Sequence, residues 1–183
     1  MHFFKTLQNS MKELKNLNNL LVSAMLLALC VVVGLFGTIM IGSIIRISFT
    51  DLPIALGSML FGPAVGGIMG ALSDILNYIL SPKGPYFPGF TLSGILTGLI
   101  YGFAFYKKKA TLRRIIITKV ILVILVDMLL NTYWLSILMG NGFIPLFADR
   151  LLKNIIMLPI HVAMLYVILN RLPVIINRGK KSN

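Results

Sequence analysis

Long apolar runs separated by short polar segments occupy most of this chain and restrict what it can fold into. They cover Leu20 to about Ile45, Pro53–Phe61, Val65–Leu80, Leu92–Phe105, Ile115–Met139 and Leu151–Leu169. A helix needs about 20 apolar residues to cross a bilayer, and only 12% of the residues are charged. The sequence therefore predicts an all-α, polytopic membrane protein. It forms one domain over residues 1–183, with six spans within about 20–170.

The second run, Pro53–Phe61, is short, because about ten residues reach only about 15 Å as a helix. Six crossings would still place twelve of the 17 basic residues on one side, in agreement with the positive-inside rule. These are Lys5, Lys12, Lys15, Lys107, Lys108, Lys109, Arg113, Arg114, Arg171, Arg178, Lys180 and Lys181. We therefore expect a bundle of six helices with both termini cytoplasmic, and residues 41–50 folded into its outer half.

The two ends of the chain are polar. Residues 1–19 place apolar and basic side chains at helical spacing, which predicts an amphipathic helix at the cytoplasmic interface. Residues 171–183 are expected to form a cytoplasmic basic tail. Lys119 lies near the inner end of the fifth span, where it could snorkel.

Four basic residues lie near the outer face, where the positive-inside rule does not call for them. They are Arg46, Lys83, Arg150 and Lys153. We interpret them as candidates for ligand binding, although Asp51 and Asp149 lie nearby and could neutralise some of them.

Polar residues recur at helical spacing in the outer halves of three spans. The three stripes are Asp74, Asn77, Tyr78 and Ser81; Asp127, Asn131 and Trp134; and Arg150, Lys153, Asn154 and Met157. Residues at such spacings share one helix face, and ionisable residues at membrane depth are candidates for function. If the faces turn inward, they line one outward-facing polar pocket. The alternative is that these residues only hold the helices together, as we expect for the deeper His161.

The loop from Ser81 to Phe90 contains three prolines, two glycines and three aromatic residues. Proline restricts the backbone and glycine permits tight turns, so the loop can be ordered without regular structure. Its aromatic rings could cover a flat ligand, or they could belong to an interfacial aromatic belt.

Several classes of function are disfavoured by residue counts and absent motifs. One cysteine and two histidines argue against a metal site, and the sequence contains no nucleotide-binding P-loop. The polar surface is too small for a nucleic-acid binder. We expect no cofactor. Two remaining alternatives are an intramembrane enzyme that uses Asp74 and Asp127 as an acid/base pair, and a structural subunit without a ligand.

Several short segments resemble the S components, the substrate-capture subunits of energy-coupling factor (ECF) vitamin transporters. They are Leu52–Pro63 (LPIALGSMLFGP), Gly66-Gly67 and Ser73-Asp74. Ala24 and Ala28 in the first span are similar to the AxxxA motif that docks the shared coupling subunit. Tyr86–Gly94 (YFPGFTLSG) most resembles the folate-specific branch.

This resemblance implies a six-helix protein of the plasma membrane that is not an enzyme. It implies an outward substrate site built from loops one, three and five and the outer ends of spans four to six. The implied partners are a transmembrane coupling subunit and two cytoplasmic ATPases, which hydrolyse the ATP.

Folate has a pterin ring with an amide-like edge, an aromatic linker and a dianionic glutamate tail. A carboxylate (Asp74 or Asp127) with Asn131 could pair with the ring edge, and basic residues could hold the tail. The expected substrate-binding residues are Arg46, Phe49, Asp74, Tyr86, Phe87, Asp127, Asn131, Trp134, Arg150 and Asn154. Riboflavin, thiamine, biotin or pantothenate remain alternative ligands, although thiamine is cationic and riboflavin lacks a dianion.

Overall fold

The computed structural model describes residues 2–36, 39–41, 45–47, 49–82, 84–140 and 143–180. Within these ranges only the backbone is described for residues 2, 3, 39–41, 45–47, 139, 143, 145, 149 and 172–180. The helices are α1 (His2–Glu13), α2 (Leu17–Phe36), α3 (Asp51–Phe61), α4 (Pro63–Leu80), α5 (Pro88–Phe105), α6 (Leu112–Leu122), α7 (Asn131–Met139) and α8 (Phe143–Lys180). A π-helical segment, Val123–Leu130, joins α6 to α7 without a break.

Five helical stretches in the described part of the chain are long and apolar enough to cross a membrane. They are Leu17–Phe36, Pro63–Leu80, Pro88–Phe105, Leu112–Leu138 and Leu146–Arg171. Helix α3 is apolar but has only 11 residues, which extend about 16 Å. The predicted helical membrane architecture is therefore confirmed, with the second predicted run distinctly shorter than the others.

A short β-hairpin precedes α3, which the sequence analysis did not predict. Strand β1 (Ile39–Ile41) pairs antiparallel with β2 (Ile45–Ile47), with Met40 opposite Arg46. The first helix ends at Phe36 rather than near Ile45, because the following β-branched residues pair as strands. We call the end of the bundle that carries this hairpin the hairpin end.

The opposite end of the bundle carries α1, and we call it the α1 end. Ser10 is fully buried there, and its hydroxyl donates to the Phe61 carbonyl at 2.7 Å. The same hydroxyl accepts the backbone N–H groups of Ala64 and Val65 at 3.1 and 3.2 Å. These N–H groups belong to the first turn of α4, and N–H groups in a first turn find no acceptor within their own helix. Ser10 therefore caps α4 from a separate helix.

Glu13 fastens α1 at a second place. It accepts hydrogen bonds from Asn19 Nδ2 at 2.8 Å and from the Tyr106 hydroxyl at 3.1 Å. Burial, together with the negative charge of Glu13, raises the pKa of Tyr106 to about 12. The Tyr106 phenol therefore stays protonated at neutral pH and remains a donor. The predicted amphipathic helix thus packs against the ends of α2, α4 and α5.

Helices α4 and α5 approach each other so closely that their backbones touch. A Cβ atom on Gly94 would lie 2.7 Å from the Gly70 carbonyl oxygen, and one on Gly66 would lie 2.7 Å from that of Gly98. Small residues at such a spacing permit this contact between membrane helices. The pair forms a closely packed wall along one side of the bundle.

Apolar side chains fill the bundle toward the α1 end. Tyr101 and Phe105 of α5 stack at 6.0 Å between ring centroids, and both are fully buried. Ile115 and Leu165 are fully buried in the same core. This packing leaves the open space of the bundle toward the hairpin end.

Candidate functional site

A cavity of about 330 Å³ lies in the hairpin half of the bundle. It brings the three polar stripes of the sequence together, since its lining includes Asp74 and Asn77, Asp127 and Asn131, and Arg150, Lys153, Asn154 and Met157. The first residue of α3 and the inner face of α5 complete the wall. Residues from all three predicted stripes therefore line one shared cavity, although Tyr78, Ser81 and Trp134 of those stripes are not among its lining residues.

The floor of the cavity is a buried ion pair. Lys119 Nζ lies 2.5 Å from Asp51 Oδ2, and only 6% of the Lys119 side chain and 17% of the Asp51 side chain are exposed. The Tyr101 hydroxyl donates to the same Oδ2 at 3.1 Å. The expectation that Lys119 snorkels is wrong, because its ammonium points into the bundle and binds Asp51. A charge at this depth needs such a partner.

His161 stands beside this floor. It is 9% exposed, and its ring meets the ring of Phe49 edge to face at 5.4 Å between centroids. Its Nε2 atom is buried and has no hydrogen-bond partner in the described part of the chain. Phe49 therefore contacts His161, which lines the cavity, but does not itself line it.

Arg150 enters the cavity near the hairpin end of α8. It donates from Nη1 to the backbone carbonyl of Asp127 at 3.0 Å, and the Thr132 hydroxyl donates to the same oxygen at 3.2 Å. Asp127 lies in the π-helical segment, where the usual i to i+4 hydrogen-bonding pattern is altered. The π segment thus offers a main-chain acceptor that orients the guanidinium.

Asp127 and its neighbours form the wall of the cavity below Arg150. The Asp127 carboxylate accepts Asn131 Nδ2 at 3.3 Å. Asn154 is buried and directs its amide nitrogen toward Met128 Sδ at 3.3 Å. Asn131 Oδ1 has no partner among the described residues.

Asp74 and Asn77 belong to α4, on the opposite wall. Asp74 Oδ2 accepts the Thr91 hydroxyl at 2.7 Å, and Thr91 in turn bonds to the Tyr86 hydroxyl at 2.8 Å. Asn77 Nδ2 donates to the Ser73 carbonyl at 2.8 Å, and its Oδ1 has no partner among the described residues. The wall is therefore connected through Thr91 to the loop before α5.

The aromatic residues of that loop pack mainly on one another and on the bundle. Phe87 lies 5.5 Å from Trp134 and 6.2 Å from Phe90 between ring centroids, and Tyr86 lies 5.1 Å from Tyr78. Of these five rings, Phe90 alone lines the cavity. The structure thus places Tyr86, Phe87 and Trp134 above and beside the cavity, not in its wall.

Some predicted positions lie outside what the structure describes. The backbone of Arg46 is in β2, but its side chain is outside the described atoms, and Lys83 is outside the described residues. Ala24 and Ala28 are exposed on α2 and are not among the residues that line the cavity. Among the described residues no group of three or more His, Cys, Asp or Glu side chains is placed to hold a metal ion.

Sequence reasoning missed the floor residues Asp51, Lys119 and Tyr101. The Asp51 and Lys119 side chains are 68 positions apart, and neither belongs to a polar stripe. The available signal was charge itself, because Asp51 directly precedes an apolar run and Lys119 lies within one. One negative and one positive residue at or within apolar runs indicate that the two could pair with each other inside the bundle.

The chemistry of the cavity differs along its length. Arg150 and His161 are eleven residues apart on α8, or about 16 Å along the helix. Near Arg150 the cavity offers cationic hydrogen-bond donors. Near Asp51 it offers a carboxylate that is already paired with Lys119. The space therefore suits an elongated ligand with an anionic end and a neutral, hydrogen-bonding end.

Comparison with known proteins gives consistent matches across nearly the whole chain. The family model described as "ECF transporter, substrate-specific component" matches residues 18–176. The "Folate transporter FolT" of Clostridium novyi is 42% identical over 153 residues, which are 84% of this chain and 88% of that protein. The protein of the same name from Leuconostoc mesenteroides is 28% identical over 154 residues, or 80% and 82% of the two chains.

A solved structure has the same fold. The chain in the "Crystal structure of FolT bound with folic acid" is 35% identical, with a TM-score of 0.79. The match covers 85% of this chain and 95% of that chain. Helix α1 precedes the residues matched by the family model.

Proposed function

This chain belongs to the family of substrate-specific components of ECF transporters, and from that membership we propose that it is the folate-binding subunit of such a transporter. It is a multi-pass membrane protein, and its family is a transporter's substrate-binding component, not an enzyme family. The relatives named as folate transporters and the related structure with folic acid support folate as the ligand.

The single observation that carries this proposal is the polarity of the cavity along its length. Arg150 offers a planar guanidinium, which suits a carboxylate better than a point charge does. Two polar atoms that have no hydrogen-bond partner among the described residues, Asn131 Oδ1 and His161 Nε2, lie further along the same space. A glutamate tail fits the first part of the cavity and a pterin ring fits the second.

We further propose that the chain crosses the membrane six times. Helix α3 is the short second crossing, and the β1–β2 hairpin fills the remaining membrane depth on the outer side. Both termini then lie in the cytoplasm, and the cavity faces outward. The twelve basic residues on one side under this topology support it. Residues of α1 such as Lys5 and Lys12 are exposed, as an interfacial helix requires.

The partners we propose are a transmembrane coupling subunit and two cytoplasmic ATPases. Ala24 and Ala28 lie on an exposed face of α2 beside the exposed side chains of Leu20, Met25 and Val32. Two small residues one turn apart let another helix approach closely. This face is where we place the coupling subunit.

Among the alternatives, another vitamin would have to tolerate the same charges. Thiamine is a cation and would meet Arg150, and riboflavin offers no dianion for it. The enzyme hypothesis based on Asp74 and Asp127 is set aside because of the family.

The proposed function is tested by uptake of labelled folic acid into vesicles that contain the chain with a coupling subunit and ATPases. Uptake that requires both this chain and ATP is the expected result. The control omits only this chain. Equal uptake with and without it would contradict the proposal.

A further inference from the structure

Helix α1 packs on the bundle with one face, so the directions of its other faces are fixed. Ser10 is fully buried and accepts backbone N–H groups at the start of α4. Phe4 and Met11 are seven residues apart and therefore share a face, and they are 71% and 50% exposed. Lys5 and Lys12, the residues that follow them, are also exposed. An exposed apolar strip thus runs beside a strip of lysines.

The connection between α5 and α6 brings three more lysines to the same end. The Tyr106 hydroxyl donates to Glu13 at 3.1 Å, which places this connection next to α1. Lys107, Lys108 and Lys109 are all exposed, and Lys107 Nζ lies 5.1 Å from the centre of the Tyr106 ring. We call the two strips of α1, together with Lys15 and residues 107–109, the α1 surface.

Little negative charge lies near the α1 surface. Three of the five acidic residues of the chain line the cavity in the hairpin half, and Asp149 directly precedes Arg150 of that cavity. The fifth, Glu13, already accepts hydrogen bonds from Asn19 and Tyr106. In the part of the chain that the structure describes, the lysines of the α1 surface form no salt bridge. Most of their countercharge must therefore come from outside the chain.

The α1 surface lies at the depth of lipid headgroups. Only residues 14–16 separate α1 from α2, which begins at Leu17 and is long and apolar enough to cross the membrane. Lys15 is exposed just before that span, where basic residues meet headgroups. An anionic lipid offers phosphate to the lysines and acyl chains to Phe4 and Met11. A soluble anion satisfies the lysines alone.

We propose that the α1 surface binds anionic phospholipid headgroups, with Phe4 and Met11 inserted among the acyl chains. The lysines of α1 and of residues 107–109 hold the phosphates, and the contacts of Ser10 and Glu13 keep α1 in the orientation that this requires. The inference goes beyond the proposed function and does not depend on which ligand the cavity binds.

The test uses a fluorescent reporter on α1. The sequence contains one tryptophan, Trp134, so Phe4→Trp combined with Trp134→Phe leaves a single tryptophan on the apolar strip. The full-length chain is placed in vesicles of equal parts phosphatidylglycerol and phosphatidylcholine. One lipid at a time carries bromine on its acyl chains, which quenches tryptophan fluorescence on contact. Both preparations therefore have the same surface charge and differ only in which lipid reports.

Brominated phosphatidylglycerol is expected to quench the reporter about twofold or more strongly than brominated phosphatidylcholine, because each lysine near the surface adds attraction for an anionic lipid. Equal quenching by the two lipids would show an interfacial helix without preference for anionic headgroups and overturn the inference. No quenching by either lipid would show that α1 does not reach the acyl chains and would overturn it as well.

Two triple variants in the reporter chain test the role of charge. Lys5→Gln, Lys12→Gln and Lys15→Gln together should make the two lipids quench equally. The matched control, arginine at the same three positions, keeps the charge and should keep the preference for phosphatidylglycerol. A preference that survives in the glutamine variant, or that is lost in the arginine variant, would overturn the inference.

An acidic surface on a partner protein is the competing occupant. The glutamine variant should copurify with the coupling subunit and the ATPases as well as the wild-type chain does, because the lysines bind lipid. Loss of copurification, together with equal quenching by the two lipids in the reporter chain, would assign the α1 surface to a protein partner and overturn the inference.

Discussion

Arg150 donates to the backbone carbonyl of Asp127 at 3.0 Å rather than to its carboxylate. Asp127 lies in the π-helical segment, and its carbonyl also accepts the Thr132 hydroxyl at 3.2 Å. No carboxylate in the described part of the chain forms a direct ion pair with the guanidinium, so its remaining N–H groups can serve a ligand anion. The contact links an irregularity of one helix to the charge in the cavity.

Replacing Arg150 with alanine should weaken folic acid by about tenfold or more, because the tail loses a bidentate, charged donor. The affinity for 6-hydroxymethylpterin, which has no tail, should change by less than about twofold. The folic acid affinity of Arg150→Lys should lie between those of the wild type and Arg150→Ala, since lysine keeps the charge but not the planar fork. Isothermal titration with both ligands measures the difference, and equal losses for both would remove Arg150 from the tail site.

A bulky residue on the exposed face of α2 should separate binding from transport. Ala24→Trp should retain wild-type affinity for folic acid, because Ala24 is exposed and does not line the cavity. It should abolish uptake in the assembled transporter, because the partner helix can no longer approach. The matched control is Ile117→Trp, at a position that is 59% exposed on α6. Normal uptake by Ala24→Trp would exclude this face as the docking surface.

Ser10→Ala should destabilise the α1 end of the bundle. The change leaves the Phe61 carbonyl and the N–H groups of Ala64 and Val65 without their side-chain partner. The expected cost is about 1–3 kcal/mol of unfolding free energy, read as a lower thermal midpoint in detergent. Gln8→Ala, at an exposed position of the same helix, should leave the midpoint unchanged. A midpoint for Ser10→Ala equal to that of Gln8→Ala would show that the cap contributes nothing.

Two neighbouring glycines of α4 should respond differently to alanine. A Cβ on Gly70 would collide with the backbone of Gly94, whereas one on Gly67 would make ordinary contacts of 3.5–3.6 Å with Leu99 and Ile95. Gly70→Ala should therefore separate α4 from α5, lower the thermal midpoint and reduce ligand affinity, since Gly70 lines the cavity. Gly67→Ala should be tolerated. Equal behaviour of the two variants would contradict the close helix packing.

The spacing of apolar and polar residues along the chain predicted the helices and which residues share a helix face. The stripe of Asp127 and Asn131 could be placed in the cavity wall because helical spacing fixes which residues share a face. The ion pair of Asp51 and Lys119 could not be found this way, because it joins elements 68 positions apart in the chain. Such a pairing depends on how the helices are rotated and on their relative depth, which tertiary packing determines.

The aromatic loop shows a second limit of sequence reasoning. Phe87 of the loop and Trp134 were both among the expected substrate-binding residues, and in the structure their rings lie 5.5 Å apart between centroids. Aromatic rings attract one another at such distances whether or not a ligand is bound. Composition could therefore predict an aromatic cluster but not its partner.

Calorimetric titration of the purified chain in detergent, without ATP and without partner subunits, tests the central claim most directly. We expect folic acid to give saturable heat at a stoichiometry of about one, because the cavity lies within a single chain. Riboflavin and thiamine should give none, since neither carries the dianionic tail that suits Arg150. Saturable heat with riboflavin or thiamine, and none with folic acid, would contradict the account.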